Sequence, residues 1–137
     1  MRAGEPLFAV EGRVYWADSD AAGIAHFTSF LKYCERAEEE YIFHVMGDPG
    51  GGIPGIVFPR VHVECDYRVP LRVHDRFRVE VVGVEPGRTS IRWRFRIVNL
   101  TLQDVSAECS IVSVAVDSRT GRPVPLPEDL RRALTGE

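Results

Sequence analysis

A chain of 137 residues, 45% hydrophobic and 27% charged, is long enough to bury one core and too rich in apolar residues for disorder. Its net charge of −3 disfavours non-specific nucleic-acid binding, which needs a basic surface to neutralise phosphate. No apolar run approaches the roughly 20 residues of a membrane span, and no hydrophobic signal segment follows Met1, so the reading is a single domain over residues 1–137 without membrane attachment.

Cys34, Cys65 and Cys109 are odd in number, far apart and set in apolar patterns. They read as buried thiols in a reducing compartment, with neither a disulfide framework nor zinc spacing, and the expected location is the cytoplasm. Of the 17 basic residues, all but Lys32 are arginine.

Taken in order, Leu7 to Trp16 reads as a first strand, with Phe8, Val10, Gly12, Val14 and Trp16 on one side and Arg13 and Tyr15 on the other. Helical periodicity starts near Thr28, where Phe30, Leu31, Cys34, Ala37, Tyr41 and Val45 recur on one face. The run Gly47-Asp48-Pro49-Gly50-Gly51-Gly52 stops this helix. It is a loop and not a phosphate cradle, because neither Lys-Ser/Thr nor a helical pattern follows. Val57 to Val69 reads as one long strand with a bend at Pro59. Asp75 to Val84 alternates Phe77, Val79 and Val81 against Arg78, Glu80 and Val82, and Glu85 to Arg88 is a turn. Thr89 to Leu100 sets Ile91, Trp93, Phe95 and Ile97 inside and Arg92, Arg94 and Arg96 outside. Glu108 to Val116 is a further strand, closed by a turn at Asp117 to Gly121, and Pro127 to Leu134 is a short terminal helix. One strand, one long apolar-faced helix and four more strands predict an α+β fold, a five-stranded antiparallel sheet wrapped around one long central helix. So much strand served by one helix predicts contact with a second subunit.

The chemistry concentrates where the first strand meets the helix, in Trp16-Ala17-Asp18-Ser19-Asp20-Ala21-Ala22-Gly23-Ile24-Ala25-His26-Phe27. A loop there lies at the positive end of the helix dipole, facing N–H groups that have no intrahelical partner. A carboxylate facing those donors can attack, or activate water toward, an acyl group whose carbonyl oxygen they polarise. Gly23 permits a turn closed to other residues. Taken alone, Asp18 and Asp20 also read as turn formers, and His26 reads as a capping or packing residue. A metal held by Asp18, Asp20 and His26 is chemically allowed, but no second carboxylate cluster supports it, so no metal is expected. Glu35, Glu38, Glu39 and Glu40 read as a solvated helix face, and of these Glu35 is the one worth testing. The stripe Arg92, Arg94, Arg96 reads as the wet face of a sheet, with phosphate contact by it or by Arg60, Arg68, Arg72 or Arg88 as the alternative.

Asp18 to Phe27 followed by Tyr33-Cys34-Glu35-Arg36-Ala37 resembles the hotdog-fold acyl-CoA thioesterases of the 4-hydroxybenzoyl-CoA thioesterase family. That family pairs a D-x-D-x-x-G-I/V signature with an E-R-A helix. Val61 to Pro70 with Asp75 resembles its D-Y-x-x-P-x-x-x-x-D strand and turn, and the likeness runs over roughly residues 8 to 116. One departure is Ser29-Phe30, where many members have Asn-Tyr. The resemblance implies hydrolysis of an acyl-CoA thioester by a homodimer or homotetramer. It implies Asp20 as nucleophile or general base, the Phe27 N–H as oxyanion donor, and Gly23, Ile24 and His26 lining the substrate. No cofactor is implied, since coenzyme A is part of the substrate. The alternatives are an acyl thioester hydratase or dehydratase on the same fold and a non-catalytic acyl-CoA-binding module.

Overall fold

The computed structural model describes residues 5–47 and 53–136. The elements are β1 (Phe8–Arg13), a 3-10 turn (Trp16–Asp18), α1 (Phe27–Met46), β2 (Ile56–Val57), β3 (Arg60–Tyr67), β4 (Arg76–Pro86), β5 (Ser90–Asn99), β6 (Asp104–Val114), β7 (Val116–Asp117) and α2 (Glu128–Thr135). Five strands form one antiparallel sheet in the order β1-β4-β5-β6-β3, while β2 and β7 make a separate pair. The α+β class and the five-stranded antiparallel sheet agree with the sequence reading.

The core forms because two periodicities meet. On α1, Phe30, Tyr33, Cys34, Ala37 and Tyr41 fall on one face and are all buried. On β5, Ile91, Trp93, Phe95 and Ile97 alternate inward and are at most 3% exposed. Tyr33 stacks on Phe77 with ring centroids 4.2 Å apart, and Tyr41 meets Trp93 edge-on at 6.1 Å. Each such fully buried side chain stabilises the fold by about 1.5–3 kcal/mol. Gly12 is needed where β1 crosses Phe77, because a Cβ there falls 2.7 Å from the ring. The α2 helix packs on β4 and α1 through buried Leu130 and Leu134.

Several boundaries differ from the sequence reading. The first strand ends at Arg13, and Trp16 is 76% exposed instead of lying on the inner face. The chain leaves the sheet because the Asp18 carboxylate accepts the Tyr15 N–H at 3.1 Å and closes the tight turn. The expected strand from Val57 to Val69 is two, split at Phe58-Pro59, since proline has no N–H for a ladder. β6 begins at Asp104, four residues before the expected Glu108. The stretch Asp48 to Gly52 of the glycine run lies outside the described residues.

The cysteine reading needs correction. Cys65 and Cys109 sit directly opposite each other on β3 and β6, with Cα atoms 4.2 Å apart, and are joined as a disulfide. Only Cys34 is a free, buried thiol among the described residues. Strand register, not sequence spacing, brings the pair together, so the argument for a reducing compartment loses two of its three thiols. No helix among the described residues is long and apolar enough to cross a membrane.

The charged outer face of the sheet matches expectation. Arg96 and Arg78 both donate to Glu80, at 2.6 and 2.9 Å, and Arg94 pairs with Glu85 at 2.9 Å. Arg94 and Arg96 are thus held by glutamates of their own sheet, and Arg92 donates to Ser110 Oγ at 3.3 Å.

Candidate active site

Asp20, Gly23 and Ile24 fall on one pinned loop between the 3-10 turn and α1. Asp20 donates its N–H to the Ile24 carbonyl at 2.9 Å, and Gly23 returns its N–H to the Asp20 carbonyl at 3.1 Å. Gly23 has φ +78°, the left-handed region that glycine adopts without strain. The loop is then tied to a second segment. Ala25 donates to Leu71 at 2.7 Å, Val73 donates to Gly23 at 3.0 Å, and Ile24 bridges Arg72.

That second segment explains the Asp66–Asp75 motif. Asp75 accepts the Arg72 N–H at 2.9 Å and the side-chain amide of Asn99 at 3.1 Å. Asn99 is fully buried and also donates to the Pro70 carbonyl. Its carbonyl oxygen accepts the N–H groups of Thr101 and Leu102. The motif thus positions the Asp20 loop from behind. Arg72 is the one candidate phosphate-binding arginine whose backbone pairs with that loop. Arg60 pairs with Glu35 and Glu38, and Arg68 with Glu108.

The two aspartates part company here. Asp18 is half-buried, its carboxylate closes the 3-10 turn, and its carbonyl accepts from both His26 N–H and Ser29 Oγ at 2.8 Å. Tyr33 lies near it, short of hydrogen-bond geometry. Burial, and then the Asp18 charge, push the Tyr33 phenol up. Asp20 is exposed, and one carboxylate oxygen accepts only the Ala22 N–H, at 2.8 Å. With His26 the pair does not form a group of three metal donors among the described residues.

His26 is the N-cap of α1, where its Nδ1 accepts the Thr28 N–H at 3.2 Å. Its carbonyl takes the Ser29 N–H at 2.9 Å. Two of the first three helix amides are therefore occupied. The third is Phe27, first residue of α1, whose N–H meets no protein acceptor among the described residues. Its ring is 62% exposed beside His26. The arrangement offers an exposed carboxylate and an unpaired, dipole-aligned donor on the same short segment, a combination suited to acyl transfer to water.

Matching against known proteins covers these same elements, over residues 14–134. The chain belongs to the thioesterase-like superfamily. The resemblance seen in the Asp18–Phe27 signature and the E-R-A helix is therefore correct, and this chain is a thioesterase. It is 30% identical to a 1,4-dihydroxy-2-naphthoyl-CoA hydrolase of Synechococcus sp. strain CC9605 over 138 residues, 94% of this chain and 90% of that protein. A hydrolase of the same name from Synechococcus elongatus is 30% identical over 125 residues, covering 86% and 88%. A solved 1,4-dihydroxy-2-naphthoyl-CoA thioesterase from Synechocystis shares the fold, with a TM-score of 0.84 at 23% identity over 93% of this thioesterase and 95% of that chain.

Three features of the thioesterase escape a linear reading. Tyr67 Oη donates to the Phe27 carbonyl at 2.9 Å across forty residues of sequence. Ser29 and Phe30, the departure from the family pattern, are both buried, one bonded to Asp18 and the other edge-on to Tyr67 at 5.0 Å. Glu38, expected on a solvated face, has a side chain only 12% exposed and bonds Arg60 at 2.9 Å. Its position on α1, close to the apolar stripe at Cys34, Ala37 and Tyr41, was the available signal.

Proposed function

We propose that this thioesterase hydrolyses a coenzyme A thioester carrying a hydroxylated aromatic acyl group, with Asp20 as the reacting carboxylate and the Phe27 N–H as oxyanion donor. The observation that carries the reading is an exposed Asp20 carboxylate within eight residues of chain of the unpaired Phe27 amide at the start of α1. The substrate class rests on the 1,4-dihydroxy-2-naphthoyl-CoA named for its relatives.

In the proposed reaction the thioester carbonyl oxygen sits against Phe27 N–H, where the helix dipole supports its developing charge. Asp20 either adds to the carbonyl carbon, expelling the coenzyme A thiolate and leaving a mixed anhydride for water to open, or takes a proton from attacking water. Gly23 and Ile24 shape the loop beneath the acyl carbon, and His26 orients the helix entrance. The proposal includes a homodimer or homotetramer, because β3 is an edge strand with Val61, Val63 and Tyr67 all exposed.

A steady-state thiol-release assay over hydroxyaroyl-, aroyl- and straight-chain acyl-CoAs tests the reading. The expected order is hydroxyaroyl first. Absence of thiol release from all three classes defeats it, and a preference for straight chains defeats the substrate class alone. Single turnover in oxygen-18 water adds a check on Asp20, since label in its carboxylate requires an anhydride that water opens at the Asp20 carbonyl.

A further inference from the structure

Away from the Asp20 loop, a cavity of about 550 Å³ opens between the C-terminal half of α1, the sheet and α2. Its walls are mostly apolar, including Ile42, Phe43, Ile56, Phe58, Ile91 and Leu130. Volume and lining are those of a site for a small organic molecule. Glu35, Glu38, Glu39, Arg60 and Ser113 interrupt the apolar wall. Glu38 and Arg60 are joined through one oxygen and one nitrogen at 2.9 Å, while Glu38 Oε1 and Arg60 Nη1 are buried and meet no partner among the described residues. Trp93, 1% exposed, lines the same cavity, and its Nε1 is also without a partner among the described residues. Burial pushes the Glu38 carboxyl up, and Arg60 offsets this only in part.

Buried polar atoms in this state are costly unless something completes them. Among the described residues, these lining side chains leave two donors, Arg60 Nη1 and Trp93 Nε1, and one acceptor, Glu38 Oε1, buried and unmatched. A hydroxyl is complementary, since it donates once and accepts. A carboxylate cannot satisfy Glu38, and it meets Glu35 and Glu39 in the same lining. A wholly apolar molecule leaves all three groups unpaired.

We propose that this cavity binds an apolar molecule or acyl group ending in a neutral hydroxyl, held by Glu38, Arg60 and Trp93. Glu38 follows Phe27 by eleven residues on α1, about 16 Å along the helix axis. The site therefore stands apart from the Asp20 chemistry within one chain, and its test does not require turnover.

The test is calorimetric titration of the full chain with 2-naphthol, 2-methoxynaphthalene and 2-naphthoate. The first should bind at least about tenfold more tightly than either of the others, because each of those leaves a buried group unmatched. The double variant Glu38→Leu/Arg60→Leu should bind 2-naphthol and 2-methoxynaphthalene within about twofold of each other. Replacing a buried ion pair by apolar residues is commonly tolerated by the fold. Trp93→Phe keeps the ring volume and should weaken 2-naphthol alone. Asp20→Asn should bind as wild type, which separates this site from the proposed catalytic one. Competition with a CoA thioester assigns the hydroxyl to the substrate's acyl group, and binding without competition assigns it to a separate small molecule. Failure of 2-naphthol to bind wild type, equal affinity for all three probes, or a preference that survives in the double variant overturns the proposal. The wild-type ranking decides even if a variant does not fold.

Discussion

The hydroxyl of Tyr67 donates to the main-chain carbonyl of Phe27 at 2.9 Å, tying strand β3 to the first turn of α1. The bond fixes the peptide next to the proposed oxyanion donor, and the Tyr67 ring also packs edge-on against Phe30. Tyr67→Phe keeps that ring contact and removes only the bond. Stability should fall by about 1 kcal/mol or less. Turnover should fall several-fold with little change in KM, because the amide's aim matters most in the transition state. Unchanged kcat in the folded variant removes Tyr67 as a positioning residue.

Asp20→Asn retains size and the Ala22 contact but removes the reacting charge. Thioester turnover should drop by several orders of magnitude with thermal stability nearly unchanged. Retention of more than about a tenth of wild-type turnover, a barrier change under ~1.4 kcal/mol, removes Asp20 from its role. Asp18→Ala should show the opposite balance, a lower melting temperature and a much smaller kinetic loss, since it removes the oxygen that closes the turn at Tyr15.

The Phe27 amide can be separated from its side chain. His26, the preceding residue, has φ −60° and ψ 145°, the extended conformation that a following proline requires. Proline also suits the first position of a helix, where its missing N–H has no helical partner. Phe27→Pro should therefore fold, by circular dichroism, yet lose on the order of 10² to 10³ in turnover. Phe27→Ala, which keeps the N–H, should shift mainly in substrate affinity. Equal activity of the two folded variants takes this amide out of the oxyanion hole.

The open edge at β3 carries Val63, 43% exposed, with Tyr67 at 47%. Sedimentation at micromolar concentration should give two or four chains. Val63→Lys places a charge at that edge, as natural unpaired edges do, and should shift the mass toward one chain. A wild-type protein that sediments as one chain with full activity contradicts the proposed assembly.

Thiol titration checks the cysteine assignment. Burial pushes the Cys34 thiol up, so it should not react with alkylating reagents in the native protein. After denaturation without reductant one thiol should react, and three after reduction. Three reactive thiols before reduction means that Cys65 and Cys109 are not bonded.

The sequence by itself determined what depends on neighbours close along the chain. Alternation at Ile91, Trp93, Phe95 and Ile97 required a half-buried strand, and the 3.6-residue rhythm from Phe30 to Tyr41 required a helix on its apolar face. Asp20, Gly23 and Phe27 share one short segment, so their proximity needed no tertiary information. What the tertiary structure decided comes from contacts between distant segments. Register between β3 and β6 set Cys65 against Cys109, and the return of β3 beside α1 buried Glu38 on Arg60 and brought Tyr67 to Phe27. Asp18 and Asp20 look alike in sequence. The fold distinguishes them by burial, because the Asp18 backbone is drawn under the start of α1 by His26 and Ser29 while Asp20 stays exposed on the loop.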